Sequence, residues 1–166
     1  AGNLGEAHNP KFIKNIVDCI NPDKHILFLS LYGSKYDEVF EYSKNKNGIY
    51  FLDNIDRKNM HMIDIHLVTL LKKWDHVCVP SKAISAVSQG SAILFECTEQ
   101  NDNWQLLQNA GWRINFNDFE AVSKFMSSIS KDSIAIKRKY AIELSHKLKK
   151  IKENSFNKIL NNIINV

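Results

Sequence analysis

A chain of 166 residues with 44% hydrophobic and 24% charged side chains has the balance of one globular domain with a sizeable core, not of a fibre or a disordered tail. No apolar run approaches the roughly 18 residues of a membrane-spanning helix, and no secretory leader is expected, which points to the cytoplasm. The net charge of +4 is uneven: lysines crowd the stretch from Lys124 to Lys158 without a recognition motif. That excludes a nucleic-acid partner from the expectations and leaves the basic face to solvent or to peripheral contact with an anionic membrane at its inner surface.

In chain order, Asn9-Pro10 reads as a helix start, and Phe12, Ile13, Ile16, Val17 and Ile20 share one face of the helix that follows. "HILFLSLYG" is a continuous apolar run closed by Gly33, the pattern of a strand buried on both faces. Tyr36, Val39 and Phe40 return to helical spacing, with Gly48 as the stop. "IYFLDNI" and "IDIHLVTLL" read as two further strands, the latter ending at a polar turn of Lys72 and Lys73. Val77–Val79 is a short strand-like piece, followed by a helix from Ser81 to Gly90 and another strand, "SAILFEC". A helix through Trp104 and Leu107, a strand "WRINF" and an amphipathic helix from Phe119 to Ile129 come next. The last third is helical throughout, with Ile136, Tyr140, Leu144, Leu148 and Ile151 every three or four residues.

Strands alternating with helices of this length predict an α/β fold: a Rossmann-like, doubly wound parallel sheet with helices on both faces and long C-terminal helices. The expected organisation is a single domain, 1–166, of which 132–166 is a helical extension. The glycine-containing loop "AGNLGEAHNP" leads straight into a helix, where a doubly wound domain has a strand before the loop. The expectation is that the chain is one half of a longer protein.

The residues with chemistry in them gather at predicted strand-to-helix turns. Gly2, Asn3 and Gly5 precede the first helix, where glycines let backbone approach a ligand and the helix start offers N–H groups. Two terminal glycines also read as plain flexibility, and the third glycine of a dinucleotide fingerprint is missing. Pro80-Ser81-Lys82 stands at the start of the next small helix: Ser81 is an apt N-cap, and Ser85 shares its face one turn on. A lysine in a first turn opposes the helix dipole, unless an anion bound there reverses the sign. His8 follows the glycine loop and faces the same expected crevice. His66, His76, Asp75, Glu96 and Glu99 fall near the same rim, and His8 and Asp75 are the catalytic candidates. Cys19, Cys78 and Cys97 are odd in number, lie in apolar runs and lack ligand spacing, so neither a disulfide nor a metal site is expected.

The ordered set "GNLGEAH", "DIHLVTLLKKWDHVCVPSKAISAVSQGSAILF" and "LLQNAGWRINFND" resembles the C-terminal half of GT-B glycosyltransferases of family 4, in particular bacterial enzymes that build capsule or lipopolysaccharide. The resemblance implies a domain that binds a nucleotide-diphosphate sugar, without metal or other cofactor. Gly2, Asn3 and Gly5 would line the diphosphate and sugar, Ser81 and Lys82 would contact the diphosphate, Ser85 would stand at the ribose position, and backbone from Leu52 to Ile55 would meet the base. A glycan or lipid-linked acceptor would be held by an N-terminal domain outside this chain, so the chain alone would bind donor without transferring a hexosyl group; transfer in that family is retaining. The sequence departs from the pattern at Ser85 and Val77, where relatives carry acids, and at Glu6, where many are basic. Two alternatives are a sugar-nucleotide epimerase of the same architecture and a non-catalytic α/β interaction module.

Overall fold

The computed structural model describes the backbone of residues 2–164 and the side chains of residues 2–56 and 58–156. In chain order the elements are β1 (Gly2–Asn3), α1 (Pro10–Asp18), β2 (Leu27–Leu29), β3 (Leu31–Tyr32), α2 (Tyr36–Ser43), β4 (Ile49–Phe51), β5 (Ile65–Thr69), α3 (Ser81–Ser88), β6 (Ala92–Glu96), α4 (Asp102–Leu107), β7 (Gly111–Ile114), α5 (Phe119–Ser128) and α6 (Lys131–Ile164). Three short 3-10 turns, Arg57–Met62, Lys72–Trp74 and Gln108–Ala110, join them. The fold is α/β with parallel strand pairing, as the alternation of strand and helix predicts.

The pairing falls into three sets: β1 with β3, β2 with β4, and β5–β6–β7. The run Leu27–Tyr32 serves two partners, giving one edge to β4 and the other, further along, to β1. Strand β6 is buried at every position, and its alternation separates two layers. Ile93 and Phe95 meet α3, Leu107 and Ala141 of α6 on one side. Leu94 meets Phe12 and Ile16 of α1 and Val122 of α5 on the other. Full burial of side chains of this size contributes about 1.5–3 kcal/mol each, so the three-stranded set and its two helical layers are the stable centre. A third apolar cluster, Leu4, Ile13, Val17, Leu29 and Val39, attaches the β2–β4 pair to α1 and α2.

Asn9 and Pro10 start α1 as expected: the Asn9 side chain accepts from the Lys11 N–H, and Pro10 occupies the first turn, where its missing N–H costs nothing. The long apolar stripe of the last third forms one continuous helix. Arg138 fastens it, donating to the carbonyls of Gly90 at 3.2 Å and His61 at 2.6 Å and to Asp64 at 2.5 Å.

Three local expectations are corrected. Val77–Val79 forms no strand; Val77 and Val79 are 71% and 69% exposed, because Pro80 holds the preceding residue extended with no neighbouring strand to receive it. Ser81 is the first residue inside α3 rather than its cap, a position taken by Pro80. Gly48 does not stop α2, which ends at Ser43; Gly48 instead supplies a positive φ of 78° in the turn entering β4.

Candidate functional site

The loop that follows β1 is held on three sides before any ligand is considered. Gly2 N–H donates to the Ser30 carbonyl and Leu4 N–H to that of Tyr32, while the Leu4 side chain is buried in the core. The Lys35 backbone N–H donates to the Leu4 carbonyl at 3.1 Å, and its ammonium donates to the carbonyls of Glu6 at 3.2 Å and His8 at 2.8 Å. From the other direction, Leu71 N–H donates to the Ala7 carbonyl at 2.7 Å. The loop therefore lies across the carboxyl ends of β3 and β5, where ligands of open parallel sheets sit.

Lys82, in the first turn of α3, comes to the same place. Gly2 has a φ of 115°, and a Cβ there would overlap the Lys82 ammonium, so only glycine allows this approach. Among the described residues Lys82 forms no ion pair, and its ammonium lies 6.0 Å from the centre of the Tyr32 ring. The side chain as a whole is solvent-exposed, yet packing against the loop desolvates the charge and lowers its pKa. Among the described residues no side chain caps α3, so the positive end of its dipole stands beside Lys82, with the Ala83 N–H donating to the Pro80 carbonyl at 2.8 Å. An uncompensated cation at the positive end of a helix is an arrangement that an anion would stabilise.

His8 stands beside the two lysines. Burial depresses its pKa, and the charges of Lys82 and Lys35 depress it further, so the ring is neutral at neutral pH. Its Nδ1 is buried without a hydrogen-bond partner among the described residues.

Gly2, Asn3, His8 and Lys82 thus line one crevice, together with Thr69 and Ile55. Gly5, Ser81 and Ser85 do not line it. Gly5 turns the loop by accepting from the His8 N–H at 3.0 Å, and Ser81 is exposed at the helix start. Ile55 belongs to the segment expected to meet a base, and Glu6 is exposed outside the crevice.

Asp75 is 1% exposed and is consumed by structure: Thr98 N–H and hydroxyl and the Asn101 side-chain amide donate to its carboxylate, joining the Lys72–Trp74 turn to the start of α4. It does not reach the crevice. His76 is exposed, His66 is buried against the Met60 carbonyl at 3.0 Å, and Glu99 is exposed. Among the described residues no group of three His, Cys, Asp or Glu side chains could hold a metal ion, and no helix is long and apolar enough to cross a membrane.

One feature escapes sequence reasoning. Lys35 carries no motif; its position two residues after Gly33 gives no hint that it clamps the loop. Glu96, expected near the rim, is instead buried behind the crevice and held by structure, accepting from the Asn9 side chain, the Thr69 hydroxyl at 2.9 Å and the Asn117 N–H at 3.3 Å. Comparison with protein-family models, with curated proteins and with solved structures finds no match to this chain.

Proposed function

We propose that this chain is the donor-binding half of a glycosyltransferase of GT-B architecture that takes its sugar from a nucleotide diphosphate and serves cell-surface polysaccharide synthesis. The observation that carries the reading is the meeting of Gly2 and Lys82: a glycine loop and a lysine-bearing helix start, 80 positions apart in sequence, share one crevice. The sequence resemblance supplies the substrate class, and the crevice supplies the charge and shape that suit a diphosphate.

In this reading the diphosphate sits between the loop and the first turn of α3. As the glycosidic bond breaks, negative charge grows on the departing diphosphate; Lys82 and the α3 N–H groups stabilise it in place. His8, neutral, lines the crevice beside Lys82, where its ring would border the sugar or a phosphate. Ile55 offers an apolar wall on the base side. The acceptor, a glycan or a lipid-linked sugar, is left to a domain outside this chain, so the isolated chain binds donor without turning it over.

The epimerase alternative draws no support, because no carboxylate lines the crevice among the described residues. One observation favours a non-catalytic interaction module: the basic helix α6 leaves Tyr140, Ile151 and Phe156 between 45% and 59% exposed. Calorimetric titration with UDP, GDP and their sugar conjugates, against UMP and GMP at matched ionic strength, separates the readings. The donor reading expects one diphosphate to bind well above its monophosphate. Equal or absent binding across the set contradicts it and leaves the module.

A further inference from the structure

Glu96 ends β6 behind the crevice and is buried, yet among the described residues no cation pairs with it. Lys11, in the first turn of α1, acts on it only through its field. The hydrogen bonds of Glu96 all arrive from donors. The Asn9 side-chain nitrogen donates to Oε1 at 3.1 Å and to Oε2 at 2.9 Å, the Thr69 hydroxyl to Oε2 at 2.9 Å, and the Asn117 N–H to Oε1 at 3.3 Å. Asn117 takes a positive φ of 58°, uncommon outside glycine, in bringing that N–H to the carboxylate. Both oxygens are thus required as acceptors, and a carboxylate is the side-chain group that offers two. Burying one without a cation costs stability, so what it secures is position.

Asn9 carries that constraint to the crevice. Its side-chain oxygen is committed to the Lys11 N–H at 3.2 Å as the cap of α1, so its nitrogen has to face Glu96. Turned over, the amide would present its nitrogen to the cap position, where it cannot accept. The Asn9 backbone N–H rests on the Thr69 hydroxyl at 3.3 Å. His8 directly precedes Asn9, and both His8 and Thr69 line the crevice with Gly2 and Lys82, whereas Glu96 does not. Lys35 holds the His8 carbonyl, and Asn9 fixes the residue that follows, so the turn at His8 is anchored twice.

We infer that Glu96 is a positioning residue of the crevice: by accepting on both oxygens it fixes Asn9 and Thr69, and through them it places His8 beside Lys82 to receive an anion. This deepens the donor reading and rests on it for the anion. The placement of His8 rests on the unliganded geometry alone.

Two variants separate position from mere packing. Glu96→Gln keeps the shape and turns one acceptor into a donor, so Asn9 loses either its contact with residue 96 or the cap of α1. Adding Asn9→Asp to Glu96→Gln restores the set with its polarity exchanged. One aspartate oxygen caps the Lys11 N–H and the other accepts from the new carboxamide, whose own oxygen still receives the Asn117 N–H. The Thr69 hydroxyl then turns to the carbonyl of residue 9, which already lies 3.4 Å away. The double variant has the net charge of the wild type.

The test follows the ring titration of His8 by NMR in the unliganded chain, where burial and the charges of Lys82 and Lys35 hold its pKa down. Loss of the Glu96 charge acting through space alone lowers the His8 midpoint further. Release of His8 from its place raises it towards the ordinary 6.5. Glu96→Gln is expected to raise the midpoint, and the double variant to return it to the wild-type value. Binding of inorganic pyrophosphate is expected to weaken about fivefold or more in Glu96→Gln, the scale of one net hydrogen bond, and to recover in the double variant. A His8 midpoint that stays or falls in Glu96→Gln, or a double variant no closer to the wild type than the single one, overturns the inference. A wild type that binds no pyrophosphate contradicts the donor reading, and with it the anion's part of the inference, while the His8 titration still decides the placement.

Discussion

The side-chain amide of Asn9 donates to both carboxylate oxygens of Glu96, at 3.1 and 2.9 Å, across 87 positions of sequence. Asn9 simultaneously caps α1 with its side-chain oxygen and gives its own N–H to the Thr69 hydroxyl. One residue thus ties the start of α1 to the ends of β5 and β6, directly beneath the loop that carries His8. Glu96 is 1% exposed, and its desolvation is only partly offset by the bonds from Asn9, Thr69 and Asn117, so its pKa is raised.

That shift has a definite sign. Between its ordinary value near 4.5 and the higher folded value, Glu96 binds more protons folded than unfolded, so it withdraws stability as pH rises through that window. Glu96→Gln removes the dependence. The unfolding midpoint of the variant is expected to gain on the wild type between pH 4 and pH 8. Asp18 moves the other way: its desolvation is outweighed by Lys46 and Tyr42, its pKa is lowered, and its contribution fades as pH falls below the ordinary 3.8. It is common to both proteins and cancels in the difference. A gap that stays constant with pH would show Glu96 to be ionised without cost.

Lys82→Met retains an apolar stem and removes the charge. Because that charge is desolvated and unpaired in the unliganded chain, the variant should unfold at the same temperature as the wild type or slightly above. Diphosphate binding should weaken by about 1–3 kcal/mol, the scale of a charge-assisted contact. Loss of stability with unchanged nucleotide affinity would make Lys82 a structural residue.

Anion binding beside His8 should raise its depressed pKa, so the complex takes up protons where the free chain does not. Calorimetry near pH 6 in two buffers of different ionisation enthalpy measures that uptake directly. It is expected to be positive in the wild type, to vanish in His8→Gln, and to make diphosphate affinity rise as pH falls from 7 to 6. Identical heats in the two buffers would separate His8 from the ligand.

Lys35→Met removes the ammonium that holds the Glu6 and His8 carbonyls. A stability loss of about 1–2 kcal/mol is expected from such contacts, with faster amide exchange confined to the loop around Leu4 to His8. A global loss with no local change in exchange would assign Lys35 to the core instead.

Much of the fold was legible because its signals are local. Asn9-Pro10 marks a helix start through capping chemistry that needs only adjacent residues, and Gly90, with its φ of 78°, follows α3 where its sequence position suggests. Apolar runs locate β2 and β6, and alternation locates β5, for the same reason, although the first run is not buried on both faces: Phe28 and Tyr32 are 38% and 63% exposed. Pairing between strands is a long-range property: nothing in the composition of Leu27–Tyr32 shows that it gives one edge to β4 and the other to β1. The site divides along the same line. Gly2, Asn3, His8 and Lys82 were readable from turn chemistry, whereas Asp75 sat at a plausible strand end and proved to be held by Thr98 and Asn101. Lys35 and the Asn9–Glu96 contact depend on residues 27 and 87 positions away, which no local pattern encodes.

The most direct test of the account is the backbone amide spectrum of the chain titrated with UDP and GDP. The account predicts that shifts gather on two segments at once, Gly2–His8 and Ser81–Ala83, and that Lys82→Met abolishes both. Shifts confined to α6, or no shifts at saturating nucleotide, would contradict it.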